Sequence, residues 1–298
     1  MAKPALMRRE TRRMKKVLLI DGMALLFRAF YATSVYGRYM ETKSGVPTNG
    51  VNGFVKHVTA AVQAVQPTHA VACWDMGSTT FRTESYEHYK ANRVAPPDEL
   101  IPQFDLVKEA SAMLGMPNIG LKGYEADDCI GTLAKQYASE AEVMILTGDT
   151  DLLQLASETV TIMLLQKGMG NYKYYTPEVI FEERGIKPWQ IVHVKALMGD
   201  TSDNYPGVKG IGEKTAYKLI QQFGTTEGVL QNLAHLTKAQ QTKIENDLEN
   251  LQLSLQLAAI HCEVPIVCSL DEALLDWNEQ RIQTVYRAME WRDPFVRG

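Results

Sequence analysis

The chain has 298 residues, 45% hydrophobic and 22% charged, with a formal net charge of −4. These fractions suit an ordinary globular chain long enough to bury its own core, and they exclude intrinsic disorder, a collagen repeat and a disulfide-stapled miniprotein. The apolar runs fall far short of the ~20 residues that span a bilayer. The four cysteines form no CxxC pair, which excludes a zinc ribbon and fits reduced thiols in a cytoplasmic protein.

Residues 1–16 carry Lys3, Arg8, Arg9, Arg12, Arg13, Lys15 and Lys16 against one acid, Glu10. No apolar h-region follows, so this is not a signal peptide, and a disordered leader is expected. Segment 17–21 (VLLID) reads as a buried strand ending in an acid. Helical spacing marks 50–65, and 70–75 (AVACWD) is a second strand ending in an acid. A helix at 103–114, a short strand at 118–121 and a helix at 125–138 follow. Strands at 142–147 (EVMILT) and 160–165 complete the alternation. Strands alternating with helices predict an α/β domain over 17–185, a mostly parallel sheet covered on both faces. Beyond about 185 helices dominate, at 189–198, 213–223, 238–260 and 279–290, with a minor extended piece at 264–267. A separate helical domain is expected over 186–298.

Ligands of open α/β sheets bind beyond the carboxyl ends of the strands. Asp21, Asp75, Asp149 and Asp151 follow predicted strands. Glu125, Asp127 and Asp128 open a helix, and Asp200 and Asp203 lie in the loop GDTSDN. Singly, each group also fits a helix cap or a polar turn. Together, nine like charges near one rim repel unless a cation lies among them. Oxygen ligands without a His or Cys pattern suit Mg²⁺ or Mn²⁺ rather than Zn²⁺. Two such ions about 4 Å apart form a site for phosphodiester hydrolysis. With these acids set aside, the rest of the chain is net positive, as a nucleic-acid partner requires.

The stretch GVKGIGEKTAYKLIQQFG (207–224) places Gly207, Gly210 and Gly212 in a tight loop opening a helix, with Lys209 and Lys214 beside it. Exposed N–H groups at a helix start bind phosphate, and a hairpin between two helices grips a duplex backbone without reading sequence. In FRTESYEHYKANR (81–93), Arg82, Lys90 and Arg93 alternate with Phe81, Tyr86 and Tyr89. That mixture suits single-stranded nucleic acid, or equally a solvated helix.

The motifs LLIDG (18–22), YKANR (89–93), GYEADD (123–128), TGDTDLLQL (147–155), MGDTSDN (198–204) and GVKGIGEKTA (207–216) together resemble the bacterial 5′→3′ exonuclease and flap endonuclease family. That family includes the N-terminal nuclease domain of DNA polymerase I. The resemblance implies a PIN-like 5′ nuclease core followed by a helix-three-turn-helix domain. It implies one metal shell from Asp21, Asp75, Glu125, Asp127 and Asp149, with Asp128 and Asp151 between the sites, and a second from Asp200 and Asp203. Lys90 and Arg93 fall at the base of a helical arch, about 81–102, that contacts the scissile phosphate. Tyr89 is implied to stack on a base, and Arg28 to touch phosphate. The glycine loop is implied to hold a K⁺ ion against a duplex. The implied protein is a monomeric, metal-dependent nuclease on DNA with a 5′ flap, nick or single-stranded 5′ end, removing flaps or RNA primers. An RNA-processing nuclease with a similar acidic core and a non-catalytic junction-binding protein are the rival readings.

Overall fold

The computed structural model describes residues 15–35, 37 and 39–295. Most of the basic leader, residues 1–14, lies outside them, whereas Lys15 and Lys16 open the first strand. The strands are β1 (Lys15–Asp21), β2 (His69–Cys73), β3 (Asn118–Ile119), β4 (Ala141–Thr147), β5 (Val160–Leu165) and β6 (Tyr172–Tyr175). They form one sheet in the order β3-β2-β1-β4-β5-β6, parallel throughout except for β6, which runs antiparallel along the edge of β5.

The helices of the first half are α1 (Gly22–Thr33), α2 (Asn49–Val65), α3 (Phe81–Ser85), α4 (Gln103–Met113), α5 (Ala126–Tyr137) and α6 (Pro177–Arg184). The continuous apolar run in β1 follows from coverage of both sheet faces. Successive side chains point to opposite faces. Val17 and Leu19 therefore pack with Ile130 and Leu133 of α5, and Leu18 and Ile20 with Leu26, Phe30 and Phe54 of α1 and α2. The parallel register places Asp21 opposite Cys73, and Ile20 opposite Leu146. The carboxyl ends of β1, β2 and β4 thus share one rim.

The later helices are α7 (Ile191–Met198), α8 (Glu213–Phe223), α9 (Thr226–Gln231), α10 (Lys238–Asn246), α11 (Leu248–Ala258) and α12 (Glu279–Ala288). The helix expected at 238–260 is two helices, broken at Asp247. Its carboxylate accepts the Lys209 backbone N–H at 2.7 Å. Val194, Leu197, Ile220 and Leu251 continue the core begun under α5, so α7, α8 and α11 share the sheet's core.

No strand forms at 264–267. The last part of the expected helical domain instead returns to the α/β layer: the Ala70 N–H donates to the Ala273 carbonyl and the Leu275 N–H to the Thr68 carbonyl. Ile282 and Val285 of α12 share a core with Phe54 and Val107, and Trp291 Nε1 donates to Thr48 Oγ1 at 2.9 Å. The amphipathic pattern of α12 shows that it buries a face, but not which neighbour it buries it against. β6 was missed because KYY carries no apolar alternation. No helix among the described residues is long and apolar enough to cross a membrane.

Candidate active site

Asp21 ends β1 and caps α1, its Oδ1 accepting the Ala24 N–H at 3.0 Å and its Oδ2 the Thr147 hydroxyl at 2.7 Å. Asp75 lies two residues past β2 and accepts the Ala126 N–H at the start of α5, at 2.7 Å. Asp127 sits in the first turn of α5, and Asp149 lies two residues past β4. These four line one cavity of about 440 Å³ together with Glu125, Arg28, Lys90 and Arg93. Among the described residues no Lys, Arg or His pairs with any of the four. Burial, reinforced by Asp75 and Asp149, pushes the Asp21 carboxyl up to about 7 against its two hydrogen bonds. Burial, then the charges of Asp21 and Asp149, raises Asp127 well above the carboxylate range. Burial also raises Asp75, with Glu125 adding to it and Lys90 and Arg93 offsetting it.

As they stand, no three His, Cys, Asp or Glu side chains among the described residues are arranged to hold a metal ion. Four carboxylates from four separate stretches of the chain line the cavity. The donors are all oxygen and none is held in an ion pair among the described residues, so in chemistry they fit a hard divalent cation.

The other carboxylates are already matched. Asp151 and Asp200 share the Lys195 ammonium, which stands 2.5 Å from Asp200 Oδ2 and also contacts Asp151 Oδ1. Lys195 and Ser202 hold Asp200 down to about 2, overcoming burial, whereas burial and Asp149 raise Asp151 to about 6 despite Lys195. Asp203 accepts Arg93 Nη2 at 2.7 Å and the Tyr89 hydroxyl at 3.1 Å. Glu125 accepts Lys90 Nζ at 2.6 Å.

Three expected roles are corrected by burial. Arg82 is 2% exposed and donates to both Asp128 oxygens at 2.8 Å, so it is closed to nucleic acid. Asp128 is fully buried and also accepts the Glu125 and His261 N–H groups, which leaves no lone pair for a metal. Tyr89 is 4% exposed, its ring stacked against Tyr205 with centroids 6.5 Å apart, so it offers no face to a base. Nor is 81–102 a helical arch. After the single short α3 the chain runs in turns to residue 102. Residues 88–92 are pinned to the 200–204 loop: the Lys90 N–H donates to the Asp203 carbonyl, Asn92 Nδ2 to the Thr201 carbonyl and Asn204 Nδ2 to the His88 carbonyl. Lys90 adopts φ +57°, a left-handed conformation that a non-glycine residue seldom takes. It aims its ammonium into the cavity.

In the glycine loop, Gly207 is buried at φ +60°, where an added Cβ would lie 2.2 Å from Gly199 N. Its N–H donates to Ser254 Oγ. It is a packing glycine, not a phosphate contact. Gly210 is exposed, and its carbonyl accepts Lys243 Nζ at 2.9 Å. Gly212 is exposed and caps α8 without a side-chain hydrogen bond, with exposed Lys209 and Lys214 nearby.

The description "5′-3′ exonuclease, N-terminal resolvase-like domain" matches residues 16–185, and "5′-3′ exonuclease, C-terminal SAM fold" matches residues 186–281. The chain belongs to the 5′-3′ exonuclease family. It is 61% identical to a 5′-3′ exonuclease of Bacillus subtilis over 272 residues, 91% of this chain and 92% of that one. It is 43% identical to DNA polymerase I of Bacillus caldotenax over 261 residues, which is 87% of this chain but 29% of the polymerase. The fold is that of T5 5′-exonuclease, solved with bound zinc ions, at TM-score 0.69 and 22% identity over 93% of this chain and 98% of that one.

Within this nuclease, two cations escaped the sequence reading. Lys195 sits on α7, where its spacing looks like any solvated helix lysine. Only its position five residues before Asp200, in the last turn of a helix leading into an acidic loop, hints at the pairing. Lys243 lies on α10, 33 residues from the carbonyl it meets, and no local signal marks it.

Proposed function

We propose that the chain is a metal-dependent, structure-specific 5′ nuclease acting on DNA with a 5′ flap, a nick or a single-stranded 5′ end, including RNA-primed ends. One observation carries the reading: Asp21, Asp75, Asp127 and Asp149 crowd one cavity, none of them has an ion-pair partner among the described residues, and Asp21 is pushed up to about 7. Mg²⁺ or Mn²⁺ matches this all-oxygen set, and the zinc bound by T5 5′-exonuclease supports a divalent site. A bound divalent ion supplies positive charge that polarises the scissile phosphate and acidifies the attacking water.

The protein supplies the rest. Lys90 and Arg93 border the cavity and release donors toward charge that develops on the phosphate. Arg28 lines the same wall, fixed by its hydrogen bond to the Gln166 carbonyl, and orients an incoming strand. The uncapped start of α8 at Gly212, with Lys209 and Lys214, grips duplex phosphate. The K⁺ ion considered for this loop meets a competitor, because Lys243 already holds the Gly210 carbonyl.

The test is cleavage of 5′-labelled flap, nicked and single-stranded DNA with Mg²⁺ and with EDTA. Junction-specific cuts leaving a 5′-phosphate, abolished by EDTA, are expected. Cleavage indifferent to EDTA, or confined to RNA, overturns the reading.

A further inference from the structure

The two groups of carboxylates differ in one respect. Asp21, Asp75, Asp127 and Asp149 have no ion-pair partner among the described residues, whereas Asp151 and Asp200 enclose Lys195 and Asp203 is held by Arg93. Lys195 is placed by structure, not by reach. It lies in the last turn of α7 (Ile191–Met198), and the chain turns at Gly199 so that Asp200 doubles back onto it. Asp151 approaches from the other side, at the start of a 3₁₀ turn that follows Asp149. The three side chains are 10 to 16% exposed, so the ammonium is nearly sealed between the two carboxylates. Ser202 and the Asp203 N–H fix Asp200 Oδ1 from behind, leaving Oδ2 to Lys195.

An ammonium between two carboxylates occupies the place and supplies the charge that a cation would. We propose that Lys195 is a built-in competitor for a divalent ion at Asp151 and Asp200, so that the ion-pair-free set at Asp21, Asp75, Asp127 and Asp149 loads first and the second set loads only by displacing the ammonium. This rests on the metal-dependent reading above and adds an order of loading to it. The exchange is balanced in space: Lys195 carries a flexible four-carbon stem and can withdraw its head while its backbone stays in α7. It also lets the free protein keep Asp151 and Asp200 close together without an ion, at the cost of weak affinity for the second one.

The probe is Mn²⁺ alone, titrated into the full chain without DNA and followed by the electron-spin signal of free Mn²⁺ and by calorimetry. Wild type is expected to bind one ion tightly and a second more weakly. Lys195→Met removes the competing charge and nearly keeps the stem, and should tighten the second ion by about tenfold or more, the scale of one partly shielded charge a few ångströms away. The first ion should be unchanged. Lys195→Arg keeps the charge and should keep the second ion weak. Thermal melts of each variant confirm folding, and if Lys195→Met melts below the assay temperature, Lys195→Gln takes its place.

A second-ion affinity unchanged or weakened in the folded neutral variant overturns the proposal, because Lys195 would then be a structural clamp or would organise the ligands. Wild type that binds two ions equally tightly overturns it as well. If wild type takes up no Mn²⁺, the metal-dependent reading itself falls, an outcome distinct from the others.

Discussion

Arg82 grips Asp128 through Nη1 and Nη2, each at 2.8 Å, with the arginine 2% exposed and the aspartate fully buried. The pair ties the short α3 to the start of α5. Through Arg82 Nε on the Leu257 carbonyl and Nη2 on the Ala259 carbonyl, it also ties both to the end of α11. The active-site wall therefore depends on a salt bridge that touches no substrate.

Removing one partner leaves a buried charge unmatched. Arg82→Met should destabilise the protein by about 3–5 kcal/mol in urea unfolding, and Arg82→Met with Asp128→Asn by clearly less than the sum of the two single changes. Flap affinity of the folded fraction should be retained. A stable Arg82→Met variant with weakened DNA binding would restore Arg82 as a nucleic-acid contact.

Asp149 is exposed at the cavity rim and has no ion-pair partner among the described residues. Asp149→Ala should abolish cleavage by orders of magnitude while leaving flap binding, measured by fluorescence anisotropy in Ca²⁺, close to wild type. A variant that still cleaves at a large fraction of the wild-type rate would remove Asp149 from the site.

Asp21 gives a pH signature. Its carboxyl is raised from 3.8 to about 7 on folding, so the folded state binds the proton more tightly than the unfolded state. The metal-free protein therefore loses stability as pH rises from about 4 to about 7, and the full cost stands above that window. Asp21→Asn should be more stable than metal-free wild type at pH 8, on the order of 2–4 kcal/mol. The gap should close toward pH 4. Asparagine keeps an oxygen for the Ala24 N–H, so the α1 cap survives. Mg²⁺ should stabilise wild type and not the variant. Melting curves that stay parallel from pH 4 to 8 would remove the crowded-carboxylate argument.

Gly207 and Gly212 should separate folding from binding. Gly207→Ala forces a Cβ to within 2.2 Å of Gly199 N at φ +60° and should lower the melting temperature sharply. A Cβ added at Gly212 meets no protein atom within 4 Å, and the residue's φ of −89° is ordinary, so Gly212→Val has room at its branch point. It should fold normally yet weaken duplex binding, with single-strand cleavage less affected. Equal losses on both substrates would place the duplex grip elsewhere.

Much of this molecule is local and can be read without coordinates. The runs VLLI, AVAC and VMILT are apolar on both faces because a parallel sheet buries both. Acids directly after such strands reach the carboxyl rim whatever the helices do. Asp21, Asp75 and Asp149 are legible for that reason, and Asp127 and the exposed Gly212 because each stands at a helix start.

The partners of charged side chains were not legible. Arg82, Lys90 and Arg93 sit within twelve residues and look alike in sequence. The fold buries Arg82 against Asp128, 46 residues on, and leaves Arg93 half exposed beside Asp203, 110 residues on. Asp128 and Asp127 are neighbours on α5, yet the 100° step between them turns one into the interior and the other to the cavity. Lys195 and α12 follow the same rule. Periodicity shows that a face is buried or a charge present, because that is a property of one segment; which group lies opposite depends on how segments far apart in the chain pack, and only the tertiary structure decides it.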